Sequence, residues 1–319
     1  MSRRELEAAG ITDPQLRAAY EACQALHAQH GRTYYLATRL LPPGQRPFVH
    51  ALYGFARYAD EIVDDLDSTM TDQQRADALA RWGDQVLADL ARGHSQDPIA
   101  RALVDTATRF AIPHEHFADF LTSMRMDLTV TEYDTFADLS VYVHGSAAVI
   151  GREMVHVLGT TRAEDLPEAL ARADDLGVAF QLANFIRDVD EDLDRGRVYL
   201  PLDELARFEV SRDDLERRVL TPQLRAALQF QVRRVRELQA RAEPGIALLR
   251  APAQPCIEAA SVLYCGIVDA VEDIDYQVFD QRATVGTGRR IRVAAGAWVR
   301  AVRARRGSRR DPRRSVTAA

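Results

Sequence analysis

The chain contains no lysine: all 41 of its Lys+Arg positions are arginine, which reads as a trace of base composition more than of chemistry. Cysteine is scarce as well. Cys23, Cys256 and Cys265 are odd in number and form no CxxC pair, which argues against a closed disulfide framework and fits a reducing cytosol. No stretch reaches the roughly 18 uncharged apolar residues that a membrane-crossing helix needs. Met1 to Glu7 carry charge where a secretory signal needs an apolar run, so none is expected. Alternating apolar and polar runs, the mark of strands, are nearly absent. Proline and glycine are sparse inside the long segments and gather between them, as at Leu41-Pro42-Pro43-Gly44. No repeat of solenoid period is visible.

What is present is helical periodicity. Leu79, Trp82, Val86 and Leu90 recur at intervals of three and four. With 319 residues, 47% of them hydrophobic, the chain can bury a sizeable core. The expectation is one all-α domain over residues 1–285, of about ten helices. Charge is uneven. The net value is -6, yet residues 286–319 hold 11 Arg and one Asp, which leaves -16 on the remainder. This Arg-rich segment is expected to be part helix and part disordered. Within 289–306, Ile291, Ala294, Ala295, Trp298 and Val302 share one stripe, with Arg292, Arg300, Arg303 and Arg306 elsewhere. Two readings stay open for it: a peripheral anchor at the inner face of the membrane, or a surface helix packed on the domain. The location read is cytoplasmic. No nucleic-acid partner is expected, and the oligomeric state is not legible.

Two aspartate-rich segments carry the chemistry. In the first, Tyr53, Arg57, Asp60 and Asp64 are separated by four, three and four residues, one stripe of a helix, with Leu52, Phe55, Ala59, Ile62 and Val63 as apolar flanks. In the second, Gln181, Asn184, Asp188 and Asp192 share a face, Leu182, Phe185, Ile186 and Val189 take the others, and Gly196 is a fitting stop. Spacing alone is weak evidence. With 30 aspartates in the chain, about three DxxxD pairs arise by chance, and Asp134/Asp138, Asp190/Asp194 and Asp269/Asp273 match as well. The company of the two chosen pairs distinguishes them: an arginine on or beside each face (Arg57, Arg187), and phenol or amide groups one or two turns earlier.

Physical chemistry supplies a reason for that company. Carboxylates one turn apart repel, and a helix that carries them gains from a cation. Mg²⁺ takes oxygen ligands and commonly bridges one or two carboxylates to phosphate oxygens; Mn²⁺ suits the same donors. Arginine adds bidentate donors for a diphosphate. Two such faces lining one cavity would hold a diphosphate leaving group and stabilise its developing charge. The alternative is a pair of acidic, solvated faces.

Segment 30–65, from His30-Gly31-Arg32-Thr33-Tyr34-Tyr35 to the first aspartate pair, resembles the start of the squalene/phytoene synthase family. Segment 181–201, closing on Arg195-Gly196-Arg197-Val198-Tyr199-Leu200-Pro201, is similar to that family's second signature. Met126 to Tyr133 and Gly145 to Gly151 resemble bacterial phytoene synthases in particular. The resemblance runs from about residue 20 to about residue 285 and implies the all-α isoprenoid synthase fold, a single helical domain around a central cavity. It implies that Asp60, Asp64, Asn184, Asp188 and Asp192 bind Mg²⁺. It implies that Arg57, Arg187, Gln181, Tyr53, Arg32 and His30, with Thr33 beside them, contact prenyl diphosphates, and that Tyr264 and Arg282 stand near the leaving group.

The implied reaction joins two prenyl diphosphates head to head, through a cyclopropylcarbinyl diphosphate; two geranylgeranyl diphosphates give phytoene. The alternatives are a C30 product from farnesyl diphosphate and, outside enzymes, a helical assembly factor of the same fold. One departure stands out. His144 occupies a place where many relatives carry a second tyrosine, so no proton acceptor is assigned there.

Weaker signals absorb less. Tyr34, Tyr35, Phe55, Phe180 and Phe185 could face a carbocation or could be plain core. His114-Glu115-His116 lacks partners at zinc-like spacing and reads as a helix start after Pro113. Gly286-Thr287-Gly288 follows no strand pattern and is no dinucleotide loop. No nicotinamide motif is visible, and NADPH is not expected.

Overall fold

A computed structural model describes residues 1–64 and 70–310, with only the backbone described at Arg32, Thr33, Asp64, Ser308, Arg309 and Arg310. Sixteen α-helices make up these residues. They are α1 (Arg3–Ala8), α2 (Pro14–His30), α3 (Arg32–Thr38), α4 (Arg46–Asp64), α5 (Asp72–Arg92), α6 (Pro98–Phe110), α7 (His114–Met126), α8 (Phe136–Val143), α9 (Val149–Leu158), α10 (Leu166–Arg187), α11 (Val189–Asp194), α12 (Leu202–Ala206), α13 (Arg212–Glu216), α14 (Pro222–Ile246), α15 (Gln254–Asp273) and α16 (Thr287–Arg310). The count exceeds the expected ten because several are short pieces of five to eight residues that periodicity does not resolve. Among the described residues the only β-pairing is two isolated bridges, one of them joining Glu132 to Val198 in the extended stretch before Pro201.

Local chemistry sets the helix starts. Asp13, Asp97 and Thr221 each cap a helix whose first residue is proline, the side-chain oxygen accepting from the backbone N–H three residues on. Thr71 and Gln74 form a reciprocal capping box on α5, and Gly93, at φ 75°, ends it. Helix α7 begins at His114, directly after Pro113.

The buried side chains form two clusters. One gathers residues of α2, α4, α5, α6, α7 and α9, among them Tyr20, Phe55, Leu79, Leu103, Phe117 and Leu121. The other gathers α8, α10, α12, α14 and α15, among them Tyr142, Phe185, Ile186, Leu228 and Val271. Helix α10 packs against α9 on one side and against α14 and α15 on the other. Glycine permits close approach on the first side: a Cβ on Gly151 of α9 would stand 2.7 Å from the Ala173 carbonyl, and one on Gly177 of α10 2.7 Å from that of Ala147, just before α9. Between α8 and α9 lies one π-helical turn, His144–Ala148. Its Gly145 lies against α7, where a Cβ would collide with the Asp119 carbonyl, and Ser123 of α7 donates to the Tyr142 carbonyl at 2.8 Å.

Helix α16 lies along α15 and buries Ala297 and Ala301, with Val293 half-buried. Of the two readings left open for the stripe in 289–306, packing on the domain is not made by its large residues: Ile291, Ala294, Ala295 and Trp298 are exposed and Val302 is half-buried. Small residues made the contact, because they let two helices approach closely. A solvated, disordered end is the expectation for residues 307–319; residues 307–310 instead continue α16, and residues 311–319 lie outside the described residues. No helix among the described residues is long and apolar enough to cross a membrane.

Candidate active site

Two cavities meet inside the helical domain. A polar chamber of about 410 Å³ receives Arg57 and Asp60 from α4, Gln181, Asn184 and Arg187 from α10, then Asp188 and Asp192. An apolar chamber of about 360 Å³ is walled by α3, α4, α9, α10, α14 and α15, with much of the wall Ala or Gly, including Ala37, Ala147, Gly151, Ala173, Gly177 and Ala260. Small side chains leave the space that would otherwise be core. Tyr34, Tyr53, Ala56, Ser146, Gln181 and Asn184 line both chambers and form the seam between them.

On α4, Arg57 donates from Nη1 to Asp60 Oδ2 at 2.6 Å and from Nε to Glu61 Oε1 at 3.2 Å. His30, at the end of α2, reaches the same Glu61 oxygen at 3.1 Å. His30 therefore stands behind the chamber, joined to it through Glu61. Tyr53 stacks on His27, with ring centroids 3.9 Å apart and planes 8° from parallel. The side chains of Arg32, Thr33 and Asp64 lie outside those described.

The second segment is not one continuous helix. Helix α10 ends at Arg187, Asp188 adopts φ -99° and ψ 15°, and α11 begins at Val189. The helical bonds nevertheless carry across, Asp188 N–H to the Asn184 carbonyl and Asp192 N–H to the Asp188 carbonyl, each at 2.8 Å. Gln181, Asn184, Asp188 and Asp192 thus still converge on one chamber, and the break turns Arg187 onto its own neighbour: Nε donates to Asp188 Oδ1 at 2.6 Å. Gly196, at φ 71°, follows the end of α11, as its sequence position suggested.

Arg282 comes from the segment after α15. Its Nη2 lies 2.9 Å from Asp188 Oδ1 and its Nη1 3.0 Å from Glu191 Oε1. Tyr264 does not line the polar chamber; it stacks on Tyr34, with centroids 4.4 Å apart, and reaches the seam through it. Of the five aromatic candidates, Tyr34 lines the seam, Phe180 the apolar chamber and Phe185 the polar one. Phe55 is core, buried against Trp82, Phe117 and Phe120, and Tyr35 turns to Gln24. His144 opens the π-turn half-exposed, beside Asp119 at 3.2 Å.

Residues that spacing did not reveal complete the polar wall: Asp127, Tyr142, Arg195, Arg197 and Tyr199. Asp127 accepts hydrogen bonds from Tyr142 at 2.9 Å and Tyr199 at 3.0 Å, and its carbonyl accepts from Arg197 at 2.8 Å. Arg195 and Arg197 stand in the second signature, so their neighbourhood was visible although their roles were not.

Electrostatics mark the acidic side. Burial pushes the Asp192 carboxyl up to about 7, and the nearby Asp188 charge adds to it. A cation at this wall would remove that penalty. Among the described residues no three acidic, histidine or cysteine groups come together closely enough to hold an ion by themselves. Mg²⁺ asks for less, since one or two carboxylates suffice when waters and phosphate oxygens complete the shell. Carboxylate and amide oxygens from Asp60, Asn184, Asp188 and Asp192, with arginines beside them, are a donor set that fits it.

Residues 27–289 match the squalene/phytoene synthase family. The chain is 36% identical over 292 residues to a phytoene synthase of Arthrospira platensis, covering 89% of this chain and 93% of that protein. It is 37% identical over 291 residues to the 15-cis-phytoene synthase of Synechocystis, covering 89% and 85%. Among solved structures, a dehydrosqualene synthase superposes with a TM-score of 0.79 at 25% identity, covering 88% of this chain and 96% of that one. The squalene synthase HpnC of Alicyclobacillus acidocaldarius superposes with a TM-score of 0.76 at 26% identity, covering 84% and 98%. The fold is therefore the isoprenoid synthase fold expected from the resemblance.

Proposed function

The chain belongs to the squalene/phytoene synthase family, and we propose that it joins two geranylgeranyl diphosphates head to head into phytoene, the entry to carotenoid biosynthesis. It is a prenyltransferase. The observation that carries the reading is the pair of chambers: charged side chains suited to a diphosphate on one side of the seam, a wall of small apolar residues suited to prenyl chains on the other.

Asp60, Asp64, Asn184, Asp188 and Asp192 would hold Mg²⁺, or Mn²⁺ in its place, and the metal would supply hard positive charge to the leaving diphosphate. Arg57, Arg187 and Arg282 donate to diphosphate oxygens and are already aligned by Asp60, Asp188 and Glu191. Arg32, Thr33, Tyr53 and Gln181 extend that donor set, and His30 orients it through Glu61. Tyr264 braces Tyr34 at the seam.

In the first half-reaction the C1–O bond of one substrate breaks, the diphosphate keeps the electron pair, and the double bond of the second substrate attacks the allylic cation. Loss of a proton closes the cyclopropane. In the second half-reaction that diphosphate leaves, the cation rearranges, and a further proton is lost to give the central triene. No reductant enters the balance, so NADPH is not required. Tyr34, Phe180 and Phe185 offer ring faces to the cations. Released diphosphate is the proposed proton acceptor, since His144 faces Asp119 instead. The hydrocarbon product dissolves only in lipid, so the cytoplasmic protein makes peripheral contact with the membrane.

Purified protein incubated with geranylgeranyl diphosphate and Mg²⁺ tests the reading. Phytoene formed without NADPH is the expected result. A C30 hydrocarbon from farnesyl diphosphate, with the C20 substrate left unused, would overturn it in favour of the dehydrosqualene type that the solved neighbour represents.

A further inference from the structure

Helix α16 carries nine arginines and no acidic residue. Among the described side chains, the body engages three of them. Arg289 Nη1 lies 2.8 Å from Asp269 Oδ2, Arg300 Nε lies 2.9 Å from Glu258 Oε2, and Arg305 Nη2 donates to the Leu40 carbonyl. Arg290, Arg292, Arg303 and Arg306 are exposed. So are three large apolar side chains of the same helix: Ile291 is 64% exposed, Trp298 48% and Val299 48%.

Helical geometry orients this face. Ile291, Trp298 and Arg305 follow one another at intervals of seven, two turns, and so project from one side of α16. Arg305, near the C-terminal end of α16, donates to the Leu40 carbonyl just past α3, so that end of the helix lies beside α3. On α3, Leu36 is 62% exposed. Directly behind, α3 and α15 wall the apolar chamber with Ala37, Thr38, Cys256, Ile257 and Ala260.

We propose that the outer face of α16, with Leu36 beside it, seats the protein on an anionic lipid bilayer and so places the α3–α15 wall of the apolar chamber next to lipid. Trp298 and Ile291 enter the headgroup boundary, while Arg292, Arg303 and Arg306 meet lipid phosphates. A second copy of the chain fits the face poorly. A two-fold contact would set these arginines against their own copies, and α16 has no acid to pair with them. The proposal rests on the proposed reaction only in that its product is a hydrocarbon; the surface stands without it.

The test is flotation of the full chain with vesicles of phosphatidylcholine alone and of phosphatidylcholine mixed with phosphatidylglycerol. Binding is expected to the mixed vesicles only, and to weaken as salt is raised. Ile291→Glu with Trp298→Glu should lower the bound fraction about tenfold, and Arg292→Glu with Arg303→Glu and Arg306→Glu should abolish the preference for anionic vesicles. Helical circular dichroism and turnover in detergent micelles, unchanged in both variants, show that the fold survives. Equal flotation of the variants and the unmodified chain, or no flotation of the latter, overturns the proposal. So does a dimer in solution that Trp298→Glu splits, which would assign the face to a second copy. Vesicle binding needs no substrate, so a failed product assay in micelles would count against the reaction and not against this surface.

Discussion

Arg282 holds Asp188. Its Nη2 lies 2.9 Å from Asp188 Oδ1, and its other terminal nitrogen reaches Glu191, so the segment after α15 is tied to the break between α10 and α11. The aspartate at the break before α11 is thereby fixed from two sides, by Arg187 next to it and by Arg282 from far along the chain.

Removing that second grip should affect substrate more than fold. Arg282→Ala is expected to lower kcat/KM by about 10- to 100-fold, mostly through KM, because a bidentate donor to the diphosphate is lost. The urea midpoint should barely change, since the guanidinium is about half exposed and such pairs add little stability. Arg282→Lys should recover only part of the loss, because an ammonium cannot reproduce the fork. Steady-state kinetics with a C20 diphosphate check this.

Asp127 is the acceptor that organises the tyrosines under the polar chamber. Tyr142→Phe removes one donor and should cost about 1 kcal/mol. Asp127→Ala strands two buried phenols and should cost about 3 kcal/mol. Urea unfolding at neutral pH measures both, and equal costs would argue against the shared-acceptor arrangement.

His27 and His50 face each other in the core, Nδ1 to Nδ1 at 2.9 Å. Burial holds both imidazoles below the ordinary 6.5, His27 at about 3, with the neighbouring His50 adding to the shift, and His50 at about 4. Unfolding lets both take up protons at their ordinary value. Stability from the neutral pair is therefore complete above pH 6.5 and is lost as pH falls from there toward 4 and then 3. The slope is up to about 1.4 kcal/mol per pH unit for each ring. Urea midpoints across this range should fall, and His50→Gln should flatten the fall.

The apolar chamber should discriminate chain length. Ala260 lies on its wall, and Ala260→Leu adds volume where a prenyl chain would lie. Turnover of a C20 diphosphate should drop about tenfold relative to a C15 diphosphate. Competition between the two substrates, read by product analysis, checks it.

How much of this was legible in the sequence depended on distance along the chain. Tyr53, Arg57 and Asp60 fall within two turns of one helix, and periodicity alone placed them on one face. Gln181 to Asp192 was legible for the same reason, although the break at Asp188 was not, because its backbone bonds still follow the helical pattern. Asp127 meets Tyr199 from 72 residues away, and Arg282 meets Asp188 across five intervening helices, α11 to α15; only the tertiary fold joins them. On α16 the periodicity gave the helix, and which face packs was not legible. Ala297 and Ala301 pack more closely than Trp298 could, so the most apolar stripe is the one left outside.

The central claim is that the aspartates of α4 and of the α10–α11 junction act on one diphosphate-bearing chamber. Asp60→Asn and Asp188→Asn keep shape and remove charge, and each should reduce phytoene formation from geranylgeranyl diphosphate and Mg²⁺ by about a thousandfold while the fold persists. Full turnover by either variant would contradict the account.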